Sequence, residues 1–150
     1  MGNEIDNKFT MVIKDLCSLQ SKVIESDKFV IGGCKWRLAV CSTDAGHLTL
    51  LLAVADFRTL PRGWSIHAKY RLTVVNQLSE RLSQVKETQL WFYQTIPVTD
   101  FTEMIPLSKL HDKDGGFFVN EQVKIVAEVD VLEVIGNLDV SVESREPGFK

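Results

Sequence analysis

The segment Val123-Lys124-Ile125-Val126-Ala127-Glu128-Val129-Asp130-Val131-Leu132-Glu133-Val134 decides the fold. Its odd-numbered positions from 123 to 131 are apolar, whereas Lys124, Glu128 and Asp130 are charged. Alternation with a period of two places the apolar side chains on one face of an extended strand, whereas a helix would scatter them around its circumference. Valine and isoleucine also fit the pleated surface of a sheet better than a helix. The segment therefore predicts a long, half-buried strand.

Similar alternation recurs elsewhere in the chain, so the sequence predicts an all-β protein. A turn at Ser42–Gly46 joins two of these segments into a hairpin, because aspartate and glycine favour tight turns. The one predicted helix, or 3-10 turn, covers Ile105–Leu110, since Pro106 suits a helix start. Asn76–Lys86 is polar and is predicted as a loop or short turn. The further predicted strands are Phe9–Ile13, Cys34–Cys41, His47–Ala55, Ile66–Val75 and Glu87–Gln94.

Length and composition predict one domain with short flanking segments. The chain has 150 residues, 45% of them hydrophobic. A chain of this length buries roughly 70% of the surface that its unfolded form exposes, which suffices for one core. We expect a flexible N-terminus over residues 1–8, the domain over 9–136 and a polar C-terminal tail over 137–150.

The charge pattern argues against nucleic acid and membranes as partners. The net charge is -3, and acidic and basic residues are interspersed, so no basic patch is predicted that would neutralise a phosphate backbone. Residues 1–7 lack the apolar region of a signal peptide, and no apolar run approaches the eighteen or so residues of a membrane span. These features predict a cytoplasmic protein, with the nucleus as the alternative.

The cysteines agree with a reducing compartment. Cys17, Cys34 and Cys41 are odd in number and follow no paired spacing, whereas secreted domains of this size more often carry an even set. Cys34 and Cys41 are seven residues apart on one predicted strand, so they point to opposite faces and cannot bond to each other there. We predict structural thiols.

No motif in the chain indicates catalysis or metal binding. His47, His67 and His111 are far apart in sequence and lack the compact spacing of a zinc site. The loop Asp112–Gly116 resembles the start of a calcium loop, but Val123 occupies the position of its bidentate glutamate. There is no Gly-x-Ser-x-Gly elbow or phosphate loop. We therefore predict no metal, no cofactor and no enzymatic activity.

Several segments, in their order and spacing, resemble the meprin and TRAF homology (MATH) domain. The resemblance covers Phe9 to Val134, and Gly32–Leu38 (Gly-Gly-Cys-Lys-Trp-Arg-Leu) is most similar to the plant members. It implies an eight-stranded antiparallel β-sandwich. The other segments that carry it are Phe9–Ile13, Ser26–Phe29, Leu48–Leu52, Ala68–Asn76, Glu87–Gln89, Phe101–Leu107 and Lys124–Val131.

The resemblance also implies a function. MATH domains are interaction modules that bind short extended peptides of partner proteins in a shallow groove beside a sheet edge, as adaptors or substrate-recognition domains. Mapped residue by residue, the groove of the family's substrate-adaptor branch corresponds to Leu51, Tyr70, Phe92, Thr99 and Phe101. Two positions differ from that branch: Leu51 replaces an aromatic residue, and Val-Thr-Asp-Phe at 98–101 replaces a Trp-Gly-Phe segment.

Pattern alone leaves the role of these aromatic residues open. Tyr70 shares its strand face with Leu72 and Val74, so it belongs either to the core or to the groove. Phe92 lies between Trp91 and Tyr93, which face the opposite way. At least one residue of this trio must therefore be poorly buried or line a pocket.

Two other functions remain alternatives to peptide recognition. The sandwich could serve as the assembly domain of a longer protein that contains a coiled coil, or as an accessory domain that targets a ubiquitin-pathway enzyme to its substrate. The 150 residues show no heptad repeat. We therefore expect the isolated domain to be a monomer.

Overall fold

The structure is a computed structural model that describes residues 4–5, 7–20 and 22–136. In these ranges the chain forms strands, one short helix, α1 (Leu107–His111), and 3-10 turns at Leu16–Gln20, Phe57–Thr59 and Glu80–Leu82. The strands are β1 (Glu4–Ile5), β2 (Lys8–Ile13), β3 (Ile24–Glu25), β4 (Phe29–Ile31), β5 (Cys34–Ser42), β6 (His47–Val54), β7 (Ser65–Val74), β8 (Gln84–Tyr93), β9 (Val98–Pro106) and β10 (Val123–Ile135).

The strands form two antiparallel sheets that pack face to face. Sheet one has the order β1-β2-β10-β7-β8, and sheet two has the order β3-β5-β6-β9, with β4 also paired to β5. Only β1 and β3 are as short as two residues, and the longer strands are those of the predicted eight-stranded sandwich. The all-β fold class is confirmed.

Strand β10 lies in the middle of sheet one and contains the segment that predicted the fold. The side chains of Val123, Ile125, Ala127 and Val129 are buried, whereas Asp130 is exposed. β10 pairs with β2 on one side and with β7 on the other. The alternation therefore follows the pleat, and one face of the strand forms the core while the other faces outward.

The inner face of sheet two is centred on Trp36. This residue is completely buried, and its Nε1 donates a hydrogen bond to the carbonyl oxygen of Ile31 over 3.1 Å. Its ring meets Phe92 of sheet one edge-on, with the ring centroids 5.2 Å apart. An edge-on aromatic pair of this kind stabilises a core beyond its area alone. The contact joins the two sheets near the centre of the sandwich.

The predicted loop after β7 is built around a buried polar residue, Asn76. Its Nδ2 donates to the carbonyl oxygen of Gly115 over 2.8 Å, and its Oδ1 accepts from the backbone N–H groups of Leu78 and Ser79. A Cβ atom on Gly116, which has a φ of +95°, would collide with this side chain. The loop is shorter than predicted, because β8 already begins at Gln84.

The predicted helix is present as α1, which starts directly after Pro106 and buries Leu110. At the N-terminus, β1 pairs Glu4 with Phe9 and Ile5 with Lys8. The predicted C-terminal tail, 137–150, lies outside the described residues, and the limits of the predicted domain stay predictions.

Candidate functional site

One margin of the sandwich is formed by the last strand of each sheet. β8 ends sheet one and β9 ends sheet two. The turn between them is closed by Tyr93 and Ile96, whose backbone N–H groups each donate to the other's carbonyl oxygen. We call this region, with strands Gln84–Tyr93 and Val98–Pro106, the β8–β9 margin. It is the kind of sheet edge on which an added strand can pair.

Two side-chain hydrogen bonds cross the gap between the sheets at this margin. The hydroxyl groups of Tyr70 and Thr99 lie 2.5 Å apart, and Lys86 Nζ donates to the carbonyl oxygen of Glu103 over 3.2 Å. Tyr70 comes from β7 and Lys86 from β8, whereas their partners lie on β9. These bonds connect β9 to strands β7 and β8 of sheet one.

A row of aromatic rings leads from the core to the margin. The Tyr70 ring centroid lies 6.1 Å from that of Phe92 and 5.4 Å from that of Phe101. Tyr70 and Phe92 are buried, with 1% and 0% exposure, while Phe101 is half-buried. The sequence left open whether these aromatic residues belong to the core or to the groove. Their burial shows that the side chains of Tyr70 and Phe92 pack in the core.

The Tyr70 hydroxyl lies at the inner end of the margin and is kept neutral there. Burial raises the pKa of this hydroxyl, the hydrogen bond to Thr99 lowers it by less, and the charge of Asp100 raises it further. A neutral hydroxyl both donates and accepts, so Tyr70 can keep its bond to Thr99 over the physiological pH range.

Leu51 is separated from the other predicted groove residues. It pairs with Asp100 of β9 and Ala39 of β5, and it lies on the outer face of sheet two. Thr99 and Phe101 pair with buried Leu52 and Leu50 and share their inner face. The structure therefore brings four of the five predicted residues together and places Leu51 on the opposite face of its sheet. The role of all five in peptide contact stays a prediction.

The first residues of β9 have unpaired backbone groups on the side away from β6, within the part of the chain that the structure describes. Val54 N–H donates to the carbonyl oxygen of Pro97, which directs the backbone of Pro97 toward β6. Backbone groups alternate in direction along an antiparallel strand. The N–H and C=O groups of Val98 and Asp100 therefore point away from β6, and on that side neither residue forms a backbone hydrogen bond with any of the described residues.

The sequence reasoning missed a second surface, on the outer face of sheet one. Trp91 and Tyr93 project there from β8 and, with Trp64, Ser65 and Ile135, line a groove of about 610 Å³. We call it the outer groove. The signal was present in the Trp91-Phe92-Tyr93 trio, whose alternation predicted an exposed or pocket-lining aromatic residue, and this prediction is confirmed.

The rest of that outer face carries surface ion pairs. Glu87 lies 3.1 Å from Lys69 and 3.3 Å from Arg71, and Arg71 also approaches Glu128 to within 3.8 Å. The hydrogen bonds from Lys69 and Arg71 lower the pKa of the Glu87 carboxyl group. Pairs at this exposure contribute little to stability. They form a charged border beside the outer groove.

Residues 4–5, 7–20 and 22–136 show neither a metal site nor a membrane-spanning helix. This part of the chain contains no group of three or more histidine, cysteine or acidic residues that could hold a metal ion. None of its helices has the length and apolar character needed to cross a bilayer. The three cysteines are free thiols, with Cys34 buried and Cys17 exposed.

A search against protein families matches the MATH domain over residues 8–129. The chain belongs to the MATH domain family. Two proteins of Arabidopsis thaliana, each named MATH domain and coiled-coil domain-containing protein, are 58% identical to it over 150 and 146 residues. Both alignments cover 97% of this chain, but only 46% and 44% of the relatives. A third relative with the same description is 51% identical over 150 residues.

Membership assigns a general role and confirms the predicted family. This MATH domain is a protein-interaction module, and its family is not typically catalytic. The chain spans just under half the length of the relatives that it matches. The similarity to plant proteins agrees with the resemblance seen in Gly32–Leu38.

Proposed function

We propose that this MATH domain binds short extended peptide segments of partner proteins along the β8–β9 margin, as an adaptor or substrate-recognition domain. The observation that carries the proposal is the free outer edge of β9 beside the half-buried ring of Phe101. An unpaired strand edge offers backbone hydrogen bonds, and neighbouring side chains supply specificity.

In this arrangement the peptide extends sheet two as one more strand. Its backbone pairs with the outward N–H and C=O groups of Val98 and Asp100. Its side chains then alternate between the two faces of the sheet. Those on the inner side meet Thr99 and Phe101, and those on the outer side meet the carboxylate of Asp100 on the face that Leu51 shares.

The buried aromatic residues support the site from beneath. Tyr70 touches Phe101 with its ring and Thr99 with its hydroxyl, so it positions both residues that face the peptide. Phe92 packs behind Tyr70 and joins it to Trp36 of the core. Tyr70 and Phe92 therefore act as positioning residues, while Thr99 and Phe101 provide accessible surface.

A substitution at one backbone position tests the pairing. Peptides that bind the domain are first selected from an array, and their affinities are measured by fluorescence anisotropy. Asp100→Pro removes the outward N–H, whereas the matched control Asp100→Ala keeps it. Both variants lack the Asp100 carboxylate, and only the proline variant also lacks the N–H. We therefore expect the proline variant to bind tenfold or more weakly than the alanine variant, equal to about 1.4 kcal/mol. Equal affinity of the two variants would contradict pairing along β9.

Assembly is a second candidate, and the names of the relatives favour it. The Arabidopsis relatives are named for a coiled-coil domain as well as a MATH domain, and the matched part is less than half of each. A longer protein of this type would oligomerise through its coiled coil and present several MATH domains together, which strengthens weak peptide binding by avidity. The MATH domain alone should sediment as a monomer at micromolar concentration. A stable trimer of these 150 residues would instead favour direct assembly by the sandwich.

A further inference from the structure

The peptide site proposed above has one carboxylate on its outer side, that of Asp100. This residue is exposed, and it lies on the outer face of sheet two, whereas Thr99 and Phe101 lie on the inner face. Among the residues that the structure describes, no cation lies within ion-pair distance of the Asp100 carboxylate. Its negative charge is therefore not neutralised within this part of the chain.

The two cations that β5 places on the outer face are remote from Asp100. They are Lys35 and Arg37, and β6 separates their strand from β9. Arg37 is directed to the far side of β5, because its guanidinium lies 3.6 Å from the carboxylate of Glu25 on β3. Lys35 is four residues from Ala39, the β5 residue level with Asp100, and this separation is about 13 Å along a strand.

Small and apolar side chains lie beside the Asp100 carboxylate. Leu51 pairs with Asp100, and Ala53 pairs with Val98 in the next row of the same face. Leu51 and Ala53 are half-buried, and Val98 is exposed. A lysine or arginine side chain suits such a surface, because its methylene groups can lie on apolar atoms while its charged group reaches a carboxylate.

The charge of Asp100 acts on a neighbouring group of the outer face. Burial raises the pKa of the Cys41 thiol, and the charge of Asp100 raises it further. Cys41 is two residues from Ala39, which is level with Asp100 across Leu51. No cation of the described residues offsets this effect on the thiol. The outer face is thus electrostatically negative close to β9, which favours a positively charged partner.

The register of an added strand determines which of its side chains reaches Asp100. Residues directly opposite each other on paired strands have their side chains on the same face, with the Cβ atoms about 4.5 to 5.5 Å apart. The peptide residue opposite Asp100 therefore lies on the outer side. The residues before and after it point to the inner side. There they meet Thr99 and the half-buried ring of Phe101.

We propose that the peptide bound along β9 carries a lysine or arginine opposite Asp100, with an apolar residue on each side of it. This inference rests on the proposed function, since it specifies the partner of the same site. The basic side chain lies over Leu51 and Val98 and brings its charged group to the Asp100 carboxylate. The two apolar neighbours contact Thr99 and the ring of Phe101.

A library of synthetic peptides measures this preference. Its members are nine residues long, with lysine, glutamine or glutamate at the centre, an apolar residue on each side of the centre, and serine or threonine elsewhere. Affinities are measured by fluorescence anisotropy. We expect lysine peptides to bind about two- to fivefold more tightly than glutamine peptides, because cross-strand pairs of opposite charge contribute on this scale. Glutamate peptides should bind more weakly than glutamine peptides, since like charges repel.

Two variants assign the preference to the Asp100 carboxylate. Asp100→Asn keeps the backbone N–H and should bind lysine and glutamine peptides equally, whereas Asp100→Lys should prefer glutamate. The matched control Asp44→Asn removes one negative charge from the exposed turn between β5 and β6 and should keep the preference for lysine. Raising the salt concentration from about 0.01 M to about 1 M should reduce the preference of the unmodified domain, because salt shortens the screening length.

The outcomes separate this inference from the proposed function. Equal binding of all three kinds of peptide to the unmodified domain would overturn the inference alone, because Asp100→Pro and Asp100→Ala test the backbone pairing independently. A lysine preference that persists in Asp100→Asn would also overturn it, since another group would then supply the charge. If no library peptide bound, while peptides of a different pattern selected from the array did bind, the proposed function would stand and the inference would be wrong.

Discussion

Strand β8 has aromatic residues on both of its faces, and the two faces differ in the exposure of these residues and in what they contact. On the inner face, Phe92 has no exposed surface and contacts the rings of Trp36 and Tyr70. On the outer face, Tyr93 is 39% exposed and lines a groove with Trp91. Neighbouring aromatic residues of one strand thus have different structural roles. The inner ring stabilises the sandwich, and the outer rings are available for contact.

The largest expected effect is on the free energy of unfolding when an aromatic residue on each face of β8 is replaced by alanine. Phe92→Ala should lower the free energy of unfolding by about 3 to 5 kcal/mol, because it leaves a cavity between the sheets. Tyr93→Ala should change it by only about 0.5 kcal/mol, as is usual for a surface position. Urea denaturation followed by circular dichroism measures both.

Trp36→Ala is the positive control, since its ring is also completely buried. If Tyr93→Ala destabilised the domain as much as Phe92→Ala, the distinction between an inner and an outer aromatic surface would be wrong. If Phe92→Ala were nearly neutral, Phe92 would not be a core residue.

A smaller expected effect is the pH dependence of stability that a buried thiol causes and an exposed thiol does not. Cys34 is buried on the inner side, and burial raises its pKa from 9.0 to about 11. Above pH 9 the unfolded chain loses this proton while the folded chain keeps it, so stability falls as pH rises from 9 to about 11. The Cys34 contribution to this loss should be about 2 to 3 kcal/mol.

The measurement is urea denaturation at a series of pH values. Cys34→Ala should reduce the slope of stability against pH between 9 and 11, while Cys17→Ala, at an exposed position, should not. Tyr70, whose pKa burial also raises, adds a loss above pH 10 in all variants. An unchanged slope in Cys34→Ala would show that the thiol is not buried in solution.

The smallest expected effect concerns the hydrogen bond that joins the inner face to the margin. Tyr70→Phe removes the hydroxyl that meets Thr99 and should cost about 0.5 to 1.5 kcal/mol. Thr99→Val tests the other partner, and the double variant gives the coupling energy. A coupling near zero would mean that the bond does not hold β9 in place. In a peptide-binding assay, Tyr70→Phe should weaken binding only modestly, because it leaves the ring against Phe101.

The central strands could be predicted from the sequence because each buries one face. β10 and the hairpin of β5 and β6 show this alternation clearly. The start of β8 was missed, since Gln84, Val85 and Lys86 lie on the last strand of a sheet, where Gln84 is half-buried and Val85 and Lys86 are exposed. Their pairing with β7 depends on backbone bonds that leave no hydrophobic pattern.

The candidate site was predictable only in part, for a similar reason. Alternation placed Tyr70 with Leu72 and Val74, and the resemblance placed Thr99 and Phe101 near it, which agrees with the geometry. The resemblance did not reveal that Leu51 lies on the outer face of sheet two, because that depends on its register with Asp100. The outer groove requires three strands and a small Ser65 between them, which no single segment of sequence displays.

The central position of β10 has a consequence for biosynthesis. Val123 pairs with Ile13, so the middle of sheet one joins residues more than a hundred positions apart. Such long-range pairing makes folding slow, because the entropy of closing a large loop is lost before the contacts form. During translation, β2 and β7 must wait for β10 to leave the ribosome before they are joined. Sheet two, whose strands end at Pro106, can assemble earlier.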